Sequence, residues 1–292
     1  MPDAAALPTE LPERLSETGL YADIATYAVA PDFVAFSPAN VLWSDGAVKN
    51  RWYRLPPGSV IDSSDMNHWR FPVGTMLFKE FAREGKRLET RLIWRVDDTG
   101  NRERDMLMGA YLWNDSETDA VFVKAGAEDV RGTDHDVPAA DTCWRCHIGE
   151  PGQILGLSAL QLGDVSALPL SVPPEGAPFA APNAALGYLH ANCGHCHNPN
   201  GSAWSRSNLV LRLDVEERDA ATTMIEQSTV GVPLQNWLDH GYTYRVVAGD
   251  PDQSAIVARM SQRDVNIQMP PLATEHVDET GIALVRAWIQ SL

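Results

Sequence analysis

The sequence predicts an α+β protein: an antiparallel β-sheet unit over residues 1–150, a linker over 151–182 and an all-helical unit over 183–292. Three observations predict it. Between residues 40 and 125, aromatic and β-branched runs are broken repeatedly by Gly, Pro, Asn and Asp, the punctuation of short strands and turns. From Gly149 to Pro182 the chain is rich in Pro, Gly and Ala, a connector's composition. Beyond Asn183, apolar residues recur at helical spacing.

Five segments carry the strand signal in order: "NRWYRLPPGSVI", "GTMLFKEFAREG", "LETRLIWRVDDTG", "MLMGAYLWND" and "DAVFVKAG". Alternation is only partly clean in Thr90–Val96, with Thr, Leu, Trp and Val on one face and Arg, Ile and Arg on the other. In the connector, "ILGLSALQLG" predicts one helical turn. In the last third, "NAALGYLHANCGHCH" places Ala185, Leu186, Leu189 and Cys193 on one stripe behind Asn183 as N-cap. "DPDQSAIVARMSQ" predicts a second helix. "DETGIALVRAWIQSL" predicts a third, with Ile282, Val285, Trp288 and Ile289 on its apolar face.

All four cysteines of the 292 residues fall in two copies of Cys-x-x-Cys-His: Cys143, Cys146 and His147, then Cys193, Cys196 and His197. Two thiols at this spacing can form thioethers with the vinyl groups of one haem, and the next histidine then lies beneath the iron. The rival readings are a redox dithiol, a zinc site and disulfides. A redox dithiol has no use for two trailing histidines, and zinc modules space their pairs differently. Two covalently bound haem c groups, with His147 and His197 on iron, are therefore the cofactors expected.

Helix with motif, the loop "NIQMPPL" and a C-terminal amphipathic helix make residues 183–292 resemble a class I cytochrome c domain. The resemblance implies that Cys193 and Cys196 anchor the haem, that His197 is proximal and steadied by a carbonyl near Pro199, and that Met269 is the distal ligand. Met260 and Met224 are its competitors; His190 and His195 are read as exposed or hydrogen-bonded. "LSETGLYADI", "WSDGAVKNRWYRLP", "HWRFPVGTMLFKEF" and "GDPDQSAI…QMPPL" resemble, nearly end to end, a family of bacterial dihaem c-type cytochromes. Over residues 40–150, "FPVGTMLFKEF" is also similar to the β-sheet monohaem cytochromes of ammonia and methane oxidisers. In those, a lysine of a Pro-x-Gly-x-x-x-x-Lys-Glu run is cross-linked to haem. Pro72, Gly74, Lys79 and Glu80 match that run, with Lys79 standing 68 residues before His147. Lys79 is thus the candidate catalytic or cross-linking residue, against the plainer reading of a solvated lysine.

The first haem has no evident sixth ligand. Met106, Met108 and His68 are candidates, and an open iron walled by Phe71, Trp94 and Tyr111 is the expectation adopted; His135 is read as a loop histidine. Trp43, Trp52 and Trp69 are read as core. The balance of 39 acidic against 23 basic residues, net −16, argues against nucleic acid and anionic membranes and favours a basic or neutral redox partner. No apolar run approaches 18 residues, so no transmembrane segment is expected. "MPDAAALPTELPERL" lacks the charged and apolar regions of a signal peptide. Since thioether attachment implies the periplasm, a precursor leader replaced by Met1 is expected. The resemblances imply electron transfer with a periplasmic dehydrogenase or terminal acceptor. The alternatives are a haem enzyme acting on a small nitrogen or oxygen species at the first haem, or a gas-binding protein taking a small-molecule haem ligand.

Overall fold

The computed structural model describes residues 7–272 and 274–292; the expectation concerning Met1 and a leader lies outside them. The described residues form eight strands: β1 Tyr21–Asp23, β2 Ala28–Val29, β3 Val34–Ala35, β4 Val48–Arg54, β5 Met76–Arg83, β6 Lys86–Arg95, β7 Met106–Trp113 and β8 Ala120–Phe122. Strands β3 to β8 form one antiparallel meander in sequential order, and β1 pairs with β2 in a separate ribbon. Each of the five strand-like segments carries one of β4 to β8. The three short strands before them were not anticipated, because two or three residues carry no periodicity.

The meander buries both faces, which is why its alternation looked blurred. On one face Met76, Phe78, Leu92, Tyr111 and Trp113 pack against Leu15, Leu20, Tyr21 and Phe33 of the N-terminal segment. The Trp113 indole donates to Thr90 Oγ1 at 3.0 Å, satisfying a polar atom in that layer. A side chain at Gly109 would run into Phe122 and Leu11, so β7 keeps a glycine where β8 and the N-terminal segment close over it. On the opposite face Tyr53, Leu77 and Met108 join a cluster that continues through Ile154, Leu157, Leu186, Leu211 and Val285.

Eight short helices complete the described residues: α1 Arg102–Asp105, α2 Trp144–His147, α3 Ala159–Leu162, α4 Ala184–Asn192, α5 Trp204–Ser207, α6 Met224–Thr229, α7 Ala255–Met260 and α8 Glu279–Ser291. The caps follow local rules. Asn183 Oδ1 accepts the Leu186 N–H at 2.9 Å, and Asp278 Oδ1 that of Gly281 at 2.9 Å. Ile282, Val285, Trp288 and Ile289 are all buried, as the stripe required.

The expected fold class needs correction. No all-α class I cytochrome c domain is evident over residues 183–292. Only α4 and α8 exceed six residues, and the chain between Cys193 and Ser254 is mostly turns and loops. The cause is local in part: Gly194, Pro199 and Gly201, then Gly231, Pro233, Gly241 and Gly249, break the chain on either side, and the stretch between Gly201 and Gly231, free of both residue types, still holds only the short α5 and α6 among turns. The apolar stripes of α4 and α8 are buried instead in the cluster shared with the sheet. No helix among the described residues is long and apolar enough to cross a membrane.

Candidate functional site

The two Cys-x-x-Cys-His runs meet. The first is the turn and short helix α2; the second follows α4 directly. Ser202 Oγ donates to the Arg145 carbonyl at 2.6 Å, pinning the second run to the first. A side chain at Gly149 would collide with the His195 carbonyl, so this contact requires glycine. Ligand atoms of Cys146, His195 and Cys196 all lie within 4.8 Å of one another. The Cys146 sulfhydryl, and His195 beside it, hold the Cys196 thiol below its ordinary value, while Cys146 itself is pushed up.

Beside this junction lies a cavity of about 230 Å³ between the sheet and both motifs. Cys143, Cys146, His147 and Cys196 border it, as does Lys79 from β5. His147 Nδ1 lies 2.8 Å from the Gln153 carbonyl. A carbonyl only accepts, so Nδ1 carries the proton and Nε2 keeps a free lone pair, the arrangement of a metal-binding imidazole. Burial lowers its pKa to about 4, keeping the ring neutral. Gln153 reaches this position with φ of +60°, a left-handed backbone that a non-glycine residue holds only at a cost. Two thiols and a neutral imidazole with free Nε2 on one opening are the donor set a covalently attached haem requires.

The second motif is arranged differently. His197 Nδ1 has Ser207 Oγ at 3.5 Å as its side-chain partner, a weak contact, in place of the expected carbonyl near Pro199. Burial lowers the His197 pKa to about 4. Met269 borders a gap of only about 20 Å³ with Cys193, Tyr188 and Met260, space for little more than one water. His197 lines neither that gap nor the larger cavity. Met269 and His197 are therefore not brought together across one opening. Met224 is largely exposed and Met260 is core.

Several other sequence candidates change role. Met108 lines the large cavity, whereas Met106 does not. Trp94 and Tyr111 face the N-terminal layer and Phe71 packs beside Trp69, so none of the three walls the cavity. Strand parity sends Trp94 and Tyr111 to the other side of the sheet, and Phe71 lies in the core outside any strand. His68 is bound to Glu150 at 3.1 Å. His135 is not a loose loop histidine: it is buried and bonded to Glu89 at 2.8 Å. His190 is buried too, and its Nδ1 accepts the Leu213 N–H at 3.0 Å, which puts the proton of the neutral ring on Nε2 and makes it a poor ligand. The acceptor role of Gln153 and the basic row on the sheet, Arg51 with Arg91 beside Lys79, were missed; strand register alone could have revealed the latter. Comparisons with protein-family models, curated proteins and solved structures find no match.

Proposed function

We propose that this chain is a periplasmic dihaem c-type cytochrome that carries electrons, with one haem c held by Cys143, Cys146 and His147 and a second by Cys193, Cys196 and His197. The observation that carries the reading is the donor set at the first motif: two thiols and an imidazole, its Nδ1 engaged and its Nε2 free, on one cavity. The bound groups would supply one-electron redox chemistry. The chain's own residues orient the imidazole through Gln153, and Leu77, Ile93 and Ile154 supply the apolar part of the cavity wall. Met269 is the proposed distal ligand at the second motif, whose closed gap would have to widen to admit a macrocycle. The net charge of −16 favours a basic or neutral redox partner. Denaturing mass spectrometry of protein matured in a host with thioether-forming machinery tests the proposal: two haem masses are expected, and one after Cys143→Ala with Cys146→Ala. An intact chain carrying no haem mass refutes it.

Two other readings have specific observations behind them. Haem-dependent chemistry at the first motif, whose cavity also carries the basic side chains of Arg51, Lys79 and Arg91, is the alternative to simple electron transfer. The Cys146, Cys196 and His195 cluster favours a bound zinc-like ion in a chain whose thiols remain free. Elemental analysis separates the latter, since thioether formation and thiolate ligation cannot both use the same sulfurs.

A further inference from the structure

Three basic residues stand in one row across the sheet. Arg51 of β4 is the register partner of Lys79 of β5, and Lys79 that of Arg91 of β6. All three border the large cavity. Like charges directly opposite on neighbouring strands repel, and burial sharpens the repulsion.

Among the described residues, only Arg91 of the three has an ion-pair partner. Glu89 accepts from its Nε and Nη2 at 2.9 and 2.6 Å and also binds His135. Arg51 is 8% exposed; its Nη1 reaches no more than the Lys49 carbonyl at 3.5 Å, and its Nη2 has no partner. Lys79 has no hydrogen bond or ion pair among the described residues, and its ammonium lies 4.8 Å from the Phe81 ring centroid. Three of the four carboxylates bordering the cavity are engaged elsewhere: Glu150 by Arg212 and His68, Asp45 by the Glu275 and His276 N–H groups, Asp136 by the Asp129 N–H. Glu275, the fourth, is exposed at the rim, and partial desolvation followed by the charges of Asp136 and Asp45 raises its pKa.

We infer that Arg51 and Lys79 form an anion subsite on the sheet wall of the cavity, for a carboxylate or small oxyanion. An orphaned buried guanidinium with free N–H donors is costly unless something accepts from it. Burial, and then the guanidinia of Arg91 and Arg51, hold Lys79 well below the lysine range, which marks a site short of negative charge. An arriving anion restores that ammonium and satisfies Arg51 Nη2 together. In a chain of net charge −16, such a pocket collects anions only through its local field. Two sources share the chemistry: a haem propionate, which rests on the haem reading, and a free inorganic oxyanion, which does not.

The test compares wild type with Lys79→Met and Arg51→Met in the full, haem-matured chain at low ionic strength. Sulfate is titrated calorimetrically, and the midpoint potentials are read by spectroelectrochemistry. If the occupant is a free oxyanion, wild type takes up one sulfate and each variant weakens it about tenfold or more, as loss of a charged hydrogen bond implies. If it is a propionate, wild type takes up no sulfate, and each variant lowers the potential of one haem while leaving the other unchanged. No sulfate uptake with unaltered potentials in folded variants overturns the inference. Lys79→Met removes repulsion and should fold at least as well as wild type, so it decides the matter alone if Arg51→Met does not fold. A chain without haem mass defeats the haem reading, and the sulfate titration then decides by itself.

Discussion

Replacing Glu89 by Gln should destabilise the protein by about 3 kcal/mol, more than most single isosteric changes. Glu89 is fully buried and pairs with Arg91, the one member of the row of Arg51, Lys79 and Arg91 with an ion-pair partner among the described residues. It accepts from Arg91 at 2.9 and 2.6 Å and from His135 at 2.8 Å. Burial alone would raise its pKa, yet Arg91 and His135 overcome that and bring it to about 2 from 4.5. At about 1.4 kcal/mol per tenfold change in proton affinity, the gap corresponds to roughly 3 kcal/mol. Breaking a buried pair by removing one charge falls in the same range, about 3–5 kcal/mol. Glutamine keeps the shape and one acceptor, so the loss isolates the charge. The folded pKa lies below the unfolded one, so this stability is fully present above about pH 4.5 and is lost as pH falls towards 2. Urea denaturation should show a lower midpoint at unchanged slope in Glu89→Gln. Between pH 4.5 and 2, wild type should lose stability more steeply than the variant. A loss under about 1 kcal/mol at neutral pH, or parallel pH profiles, would refute the assignment of Glu89 as the charge that holds Arg91 in the row.

Gly149→Ala should cost about 1–3 kcal/mol or more, because the new methyl meets the His195 carbonyl where the two motifs touch; chemical denaturation measures it, and a neutral result would mean the junction is loose. Asn183→Ala removes the N-cap of α4 and should cost about 1 kcal/mol, read as a shift in melting temperature. In haem-matured protein, Met269→Ala should abolish the methionine-to-iron charge-transfer band while Met260→Ala leaves it; the reverse result reassigns the ligand. Carbon monoxide added to the reduced protein should shift one Soret band, that of the His147 haem, and a response from neither would leave electron transfer as the sole reading.

What the sequence determined by itself is local. The spacing of Cys143, Cys146 and His147, and of their counterparts, on which the proposed haem attachment rests, is legible without a structure because it lies within five consecutive residues. Strand segments such as Met76–Arg83, the Asn183 and Asp278 caps and the buried stripe of α8 are likewise set by short-range sterics, hydrogen bonding and periodicity. What only the tertiary structure decided is everything that depends on residues distant in the chain. The helical stripes of residues 183–292 suggested a self-contained helical domain, yet they are buried against the sheet, because apolar area finds whichever partner surface topology supplies. Strand parity sent Trp94 and Tyr111 to one face and Lys79, Arg91 and Met108 to the other, which a blurred alternation could not announce because both faces are buried. The meeting of Cys146 with Cys196, and the row from Arg51 through Lys79 to Arg91, arise from packing and register across separate segments. Neither leaves a trace in any short window of sequence.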